Sequence, residues 1–134
     1  MVRSSRPEGV DLVKDVVELS RGEGRTRVIL SARYLGEGLV VCIYNEKAHI
    51  GAVCLGEFDP ESGRTSTSVI TRRGHKDDAV AQKAAYLLTK RTGKPSCVVA
   101  GIHVEEITEA EIREIMENVA HLVEEFIARG PRNV

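Results

Sequence analysis

Residues 77–104, DDAVAQKAAYLLTKRTGKPSCVVAGIHV, decide the fold. Val80, Ala84, Leu87 and Leu88 recur at helical spacing, so the first half predicts a helix over Asp77–Arg91, and Gly93 and Pro95 supply its stop. The second half, Cys97–Val104, is dense in β-branched residues and predicts a strand. A strand-helix-strand crossover returns the chain parallel to where it started, so Cys97–Val104 is expected to run the same way as the strand before the helix.

Upstream, that strand is Thr65–Ile70, reached through a turn rich in Asp59, Pro60, Ser62 and Gly63. Thr26, Val28, Leu30, Ala32 and Tyr34 alternate with Arg25, Arg27, Ser31 and Arg33, the pattern of a strand with one wet face. Gly36 and Gly38 mark a hairpin into Leu39–Tyr44, and Asn45, Glu46 and Lys47 turn the chain into Ala48–Leu55. With Val13–Leu19 these make five strands, expected as a meander of antiparallel neighbours. Downstream, Thr108 and Glu111 match a capping box, and Ile112, Ile115, Met116, Val119, Leu122, Val123 and Phe126 form one apolar stripe of a long helix. The fold class that results is α+β: a two-layer sandwich of a mixed, mostly antiparallel sheet with two helices on one face. Residues 1–9 read as a flexible N-terminal arm and residues 10–130 as a single domain.

The 134 residues are 42% hydrophobic and 29% charged with a formal net charge of -1, an ordinary globular balance with no basic field for nucleic acid or an anionic membrane. The longest apolar runs are too short to span a bilayer and no secretory leader opens the sequence, so a cytoplasmic protein is expected. Cys42, Cys54 and Cys97 lie in apolar runs and are expected as small buried hydrophobes.

The strand directions bring distant histidines to one rim. His49 begins the strand that runs antiparallel to Thr65–Ile70, His75 follows the end of Thr65–Ile70, and His103 closes the strand after the helix. His121 belongs to the polar side of the last helix and is set aside. Gly51 and Gly101 stand two residues from His49 and His103, on the same strand faces. If those strands are neighbours in register, His49 faces His103 and Gly51 faces Gly101, a small floor beside two imidazoles. The alternative is that the glycines mark bulges or close packing. Arg72, Arg73, Gly74, His75 and Lys76 precede a helix start, which suits a phosphate, whereas Asp77 and Asp78 could simply cap that helix. His49, His75, His103 and Asp77 together could also hold a divalent metal, although their spacing matches no compact metal signature. Glu105 and Glu106 could orient an imidazole.

The segments His49-Ile50-Gly51, Gly74-His75-Lys76-Asp77 and Gly101-Ile102-His103-Val104, followed by Ile107-Thr108 and a long helix, resemble the LpdD-like proteins, the prenylated-flavin chaperones associated with gallate decarboxylase. The resemblance covers roughly residues 14 to 128. It implies an accessory protein, not a catalyst, that binds prenylated flavin mononucleotide (prenylated FMN, or FMN itself) and supplies or protects it for a UbiD-type decarboxylase. The positions that match are His49, Gly51, Gly74, His75, Lys76, Asp77, Gly101 and His103, with Arg72 and Arg73 beside the phosphate. Two other readings stay open: a metal-dependent enzyme acting on a small phosphorylated substrate through the three rim histidines, and a structural subunit that forms a homo-oligomer or docks on a decarboxylase.

Overall fold

The computed structural model describes residues 16–73 and 77–130. The proposed arm, the first residues of the first expected strand, and Gly74, His75 and Lys76 lie outside the described residues. Strands β1 (Val17–Arg21), β2 (Val28–Leu35), β3 (Gly38–Tyr44), β4 (Ala52–Asp59) and β5 (Arg64–Thr71) precede helix α1 (Asp78–Thr92), β6 (Ser96–Gly101) and helix α2 (Glu109–Ala128). One six-stranded mixed sheet has the order β1-β2-β3-β6-β4-β5, and the two helices make it an α+β two-layer sandwich.

The expected meander is corrected at one point. β3 and β4 are not neighbours: β6 lies between them, parallel to β3 and antiparallel to β4. β3 and β6 are apolar at both alternating positions, and they take the two central places of the sheet. The chain therefore leaves the sheet after Tyr44 and re-enters one strand farther on, so residues 48–51, expected in the strand, lie before it, and β4 runs on to Asp59.

The helices cover the inner face. Val28, Leu30, Val41, Ile43, Ala52, Cys54, Val98 and Ala100 point inward and are fully or almost fully buried against Ala84, Leu88, Val119, Leu122 and Val123. Burying each large aliphatic side chain stabilises the fold by roughly 1.5–3 kcal/mol. α1 lies close to β4 because Gly56 has no side chain: a Cβ there would stand 2.9 Å from the Ala85 carbonyl oxygen. Gly93 adopts the left-handed conformation with φ 71°, and its N–H donates to Thr89 O, ending α1 as expected. At the start of α2 the capping box forms: Glu111 N–H donates to Thr108 Oγ1 at 3.1 Å, and Thr108 N–H to Glu111 Oε1 at 3.0 Å.

The outer face differs from expectation in its cysteines. Cys54 is buried, and burial pushes its thiol pKa up, but Cys97 is half-buried and Cys42 is exposed. Both belong to the outward parity of central strands that carry no helix on that side. Among the described residues, no helix is long and apolar enough to cross a membrane.

Candidate functional site

The site forms where the sheet ladder ends. β4 and β6 pair from Gly56↔Ser96 to Ala52↔Ala100, and one further bond joins Gly51 N–H to Ala100 O at 2.9 Å. Continued by count, that register would set Gly51 opposite Gly101 and, two positions on, His49 opposite His103, but the pairing ends at Ala52↔Ala100. The ladder stops there because the missing side chains are occupied by other groups. A Cβ on Gly101 would overlap the His49 carbonyl oxygen, and a Cβ on Gly51 would overlap Asp77 Oδ2. The glycines thus admit the His49 backbone and the Asp77 carboxylate, which is close packing in place of an open floor.

Asp77 is the centre of this arrangement. It is the N-cap residue of α1, but its side chain makes no capping bond. It is turned inward, only 4% exposed, where Oδ1 accepts from Ile102 N–H at 2.9 Å and Oδ2 faces His49 Nε2 at 3.1 Å. The partial positive charge of the helix start favours a carboxylate at this position, and the charge-assisted bonds offset its burial. His49 Nδ1 in turn lies 3.0 Å from Lys47 O. Both ring nitrogens face oxygen acceptors, so a neutral ring can donate to one of them and an imidazolium to both. The Arg72 N–H donates to Gly51 O at 3.0 Å and its guanidinium to Ile50 O at 2.9 Å, which ties the end of β5 to the same loop.

His103 is placed by a residue that the sequence reading treated only as a turn. Asn45 is 2% exposed; its Oδ1 accepts from His103 N–H at 3.2 Å and from Lys47 N–H at 3.1 Å, and its Nδ2 donates to His103 O at 2.8 Å. One amide therefore fixes both histidine-bearing segments. The His103 ring is exposed and its Nε2 lies 3.1 Å from Glu105 Oε1; the bond and charge of the ring hold the Glu105 carboxyl below the usual carboxylate range. Beyond it, Arg25 donates to Glu111 Oε2 at 2.7 Å, to Glu111 Oε1 at 2.9 Å and to Glu105 O at 2.7 Å. This fork, followed by the Thr108 backbone, brings the Glu111 pKa down to about 2 and fastens the loop before α2.

These elements line a cavity of about 330 Å³, whose polar lining residues are His49, Asp77 and His103. The wall is aliphatic: Val80 from α1, Ile102 and Val104 after β6, and Ile112, Ile115 and Met116 from α2. Ile112, read from periodicity as part of the buried stripe, is 45% exposed because the first turns of α2 face the cavity rather than the sheet. His49, Gly51, Asp77, Gly101 and His103 are thus gathered at one end of the sheet, and Arg72 and Arg73 are exposed beside them. Gly74, His75 and Lys76 lie outside the described residues. His121 is exposed on α2 as expected. Among the described residues, no three His, Cys, Asp or Glu side chains group to hold a metal ion. Asn45 could not have been found from spacing: its sequence signal is that of any asparagine after a strand, and only the crossing of residues 45–51 over the end of β6 buries it.

Residues 22–130 match the family model described as the prenylated flavin chaperone LpdD-like domain. No curated protein matches the chain. Among solved structures, a chain in the crystal structure of a chaperone complex for yeast 20S proteasome assembly has the same fold, with a TM-score of 0.59 at 13% identity, over 88% of this chain and 94% of that one.

Proposed function

The chain belongs to the prenylated flavin chaperone LpdD-like family, and from that premise we propose that it binds prenylated FMN in the cavity beside His49, Asp77 and His103 and supplies or protects it for a UbiD-type decarboxylase in the cytoplasm. The observation that carries this reading is the cavity itself: about 330 Å³, lined mainly by aliphatic side chains, with two imidazoles and a carboxylate among its lining groups. Cofactor sites have this makeup, a mostly apolar lining with a few placed polar groups, and a volume of roughly 300–1,000 Å³.

The residues suit the group in two respects. The isoleucines, valines and Met116 offer an apolar surface to the ring system, and among the described residues no Phe, Tyr or Trp lines the cavity, so the ring packs on branched aliphatic groups. The exposed Arg72 and Arg73, with Lys76 in the Gly74-His75-Lys76 segment before α1, supply the positive charge for the phosphate. The chemistry of the bound group is that of the flavin; the residues of this chain bind, orient and shield it. Asp77 acts by holding His49 and the Ile102 backbone in place. No reaction is assigned to the chain.

The test is anaerobic titration of the protein with FMN and prenylated FMN, read by absorbance and thermal shift, alongside Ile112→Glu and His75→Ala. Ile112 is exposed at the cavity wall, so Ile112→Glu is expected to keep the melting temperature of the free protein while weakening binding by about tenfold or more, equivalent to about 1.4 kcal/mol. Unchanged binding in Ile112→Glu would place the ligand elsewhere. Failure of both flavins to bind the unsubstituted chain would end the reading.

A further inference from the structure

The outer face of the sheet does not have the composition of a wet surface. A sheet with one face in water alternates apolar and polar residues, but here the outward positions of the central strands are Val40, Cys42 and Tyr44 on β3, Cys97 and Val99 on β6, and Val53 and Leu55 on β4. Leu55 is 44% exposed, and Ile70 on the neighbouring β5 is 72% exposed. Among the described residues, both helices pack on the opposite side.

The charged residues of this face stand at its margins and are self-complementary. Arg33 on β2 is level, through Val40 and Cys97, with Leu55 on β4, and Glu57 follows two residues later. Glu18 on β1 is level, through Ser31, Cys42, Val99 and Val53, with Ile70 on β5, and Arg72 follows two residues later. Consider a two-fold axis parallel to the strands between β3 and β6. It lays β2 over β4, β3 over β6 and β1 over β5 of a second molecule. Arg33 then meets Glu57, and Glu18 meets Arg72, each with an offset of about 7 Å along the strand that two long side chains can bridge. Because the operation is a two-fold, every such pair occurs twice, with the apolar strips of β3 and β6 facing each other between them.

The size is sufficient. Six strands about 4.8 Å apart and averaging about seven residues give a face of roughly 700 Å² before side-chain relief is counted, near the roughly 800 Å² that each partner contributes to a stable interface.

We propose that this face packs against a second copy of the chain about that axis, giving a homodimer whose two cavities remain open on the helical side. Arg72 is shared with the proposed phosphate site, so the charge test rests on Arg33 and Glu57, which lie outside that site, and the apolar strip does not depend on what the cavity binds. It is tested by sedimentation equilibrium of the full chain across the micromolar range, with variants at the centre and margin of the face. The expected result is a particle of twice the 14.7 kDa chain mass. Leu55→Glu, at an exposed position, should raise the dimer dissociation constant by about tenfold or more while leaving the far-ultraviolet circular dichroism unchanged. Arg33→Glu and Glu57→Arg should each weaken the dimer, and the combined reversal should restore it. A monomer at every concentration, a dimer indifferent to Leu55→Glu, or a double reversal as weak as its single parents would overturn the proposal.

Discussion

Gly51 and Asp77 are far apart in sequence and share one volume, which makes a double-mutant cycle the sharpest test of how the site is built. Adding a methyl group at Gly51 makes Cβ overlap Asp77 Oδ2 and places it 2.6 Å from Cγ. The carboxylate can escape only by giving up its bonds to Ile102 N–H and His49 Nε2. A hydrogen bond to a charged group contributes about 1.5–3 kcal/mol, so Gly51→Ala is expected to destabilise by roughly 2–4 kcal/mol. Asp77→Ala removes the same two bonds and is expected to lose a similar amount. In the double variant those bonds are lost once, not twice, and the new methyl group enters the room that the carboxylate vacated. The nearest remaining atom of residue 77 is its Cβ at 3.0 Å, so the neighbour must give slightly. The total should therefore stay near roughly 2–4 kcal/mol, well short of the sum of the singles, a coupling of about 2 kcal/mol or more. Urea unfolding of all four proteins at neutral pH, followed by circular dichroism with a common slope, measures it. Additivity within about 0.5 kcal/mol would refute the shared-volume account.

Two further predictions concern the groups around the cavity. Asn45→Ala leaves His103 N–H and C=O without their buried partner and should cost roughly 2–4 kcal/mol in the same urea assay; a loss below about 0.5 kcal/mol would mean that the segment is held by something else. Glu111, with its pKa lowered to about 2 from 4.5, contributes stability that is fully present above pH 4.5 and disappears as the pH falls toward 2. Glu111→Gln should therefore flatten the fall in melting temperature over that window, and an unchanged acid slope would count against the Arg25 fork.

Much of the fold was legible because helices, caps and hairpins are local. The periodicity from Val80 to Leu88, the stop at Gly93 and the Thr108–Glu111 box each lie within a few residues and formed as read. Direction was legible too, since a strand-helix-strand unit constrains it, and so β6 runs parallel to β3 and antiparallel to β4. The place of β6 between them was not, because an apolar run pairs equally well with several partners and the choice is made over distances that no local pattern records.

The site divides in the same way. Strand parity alone put His49 with Gly51 and His103 with Gly101 at one end of the sheet, and the structure brings these segments together there. What parity could not supply was the use of the space: Asp77 turns from its helix to fill Gly51, the His49 carbonyl covers Gly101, and Asn45 is buried where the chain crosses the end of β6. Sequence by itself determined which backbone conformations and faces were available, since those follow from propensity and alternation. Tertiary structure alone decided which polar groups became partners, because a buried hydrogen bond depends on contacts between segments that only the packed chain brings within reach.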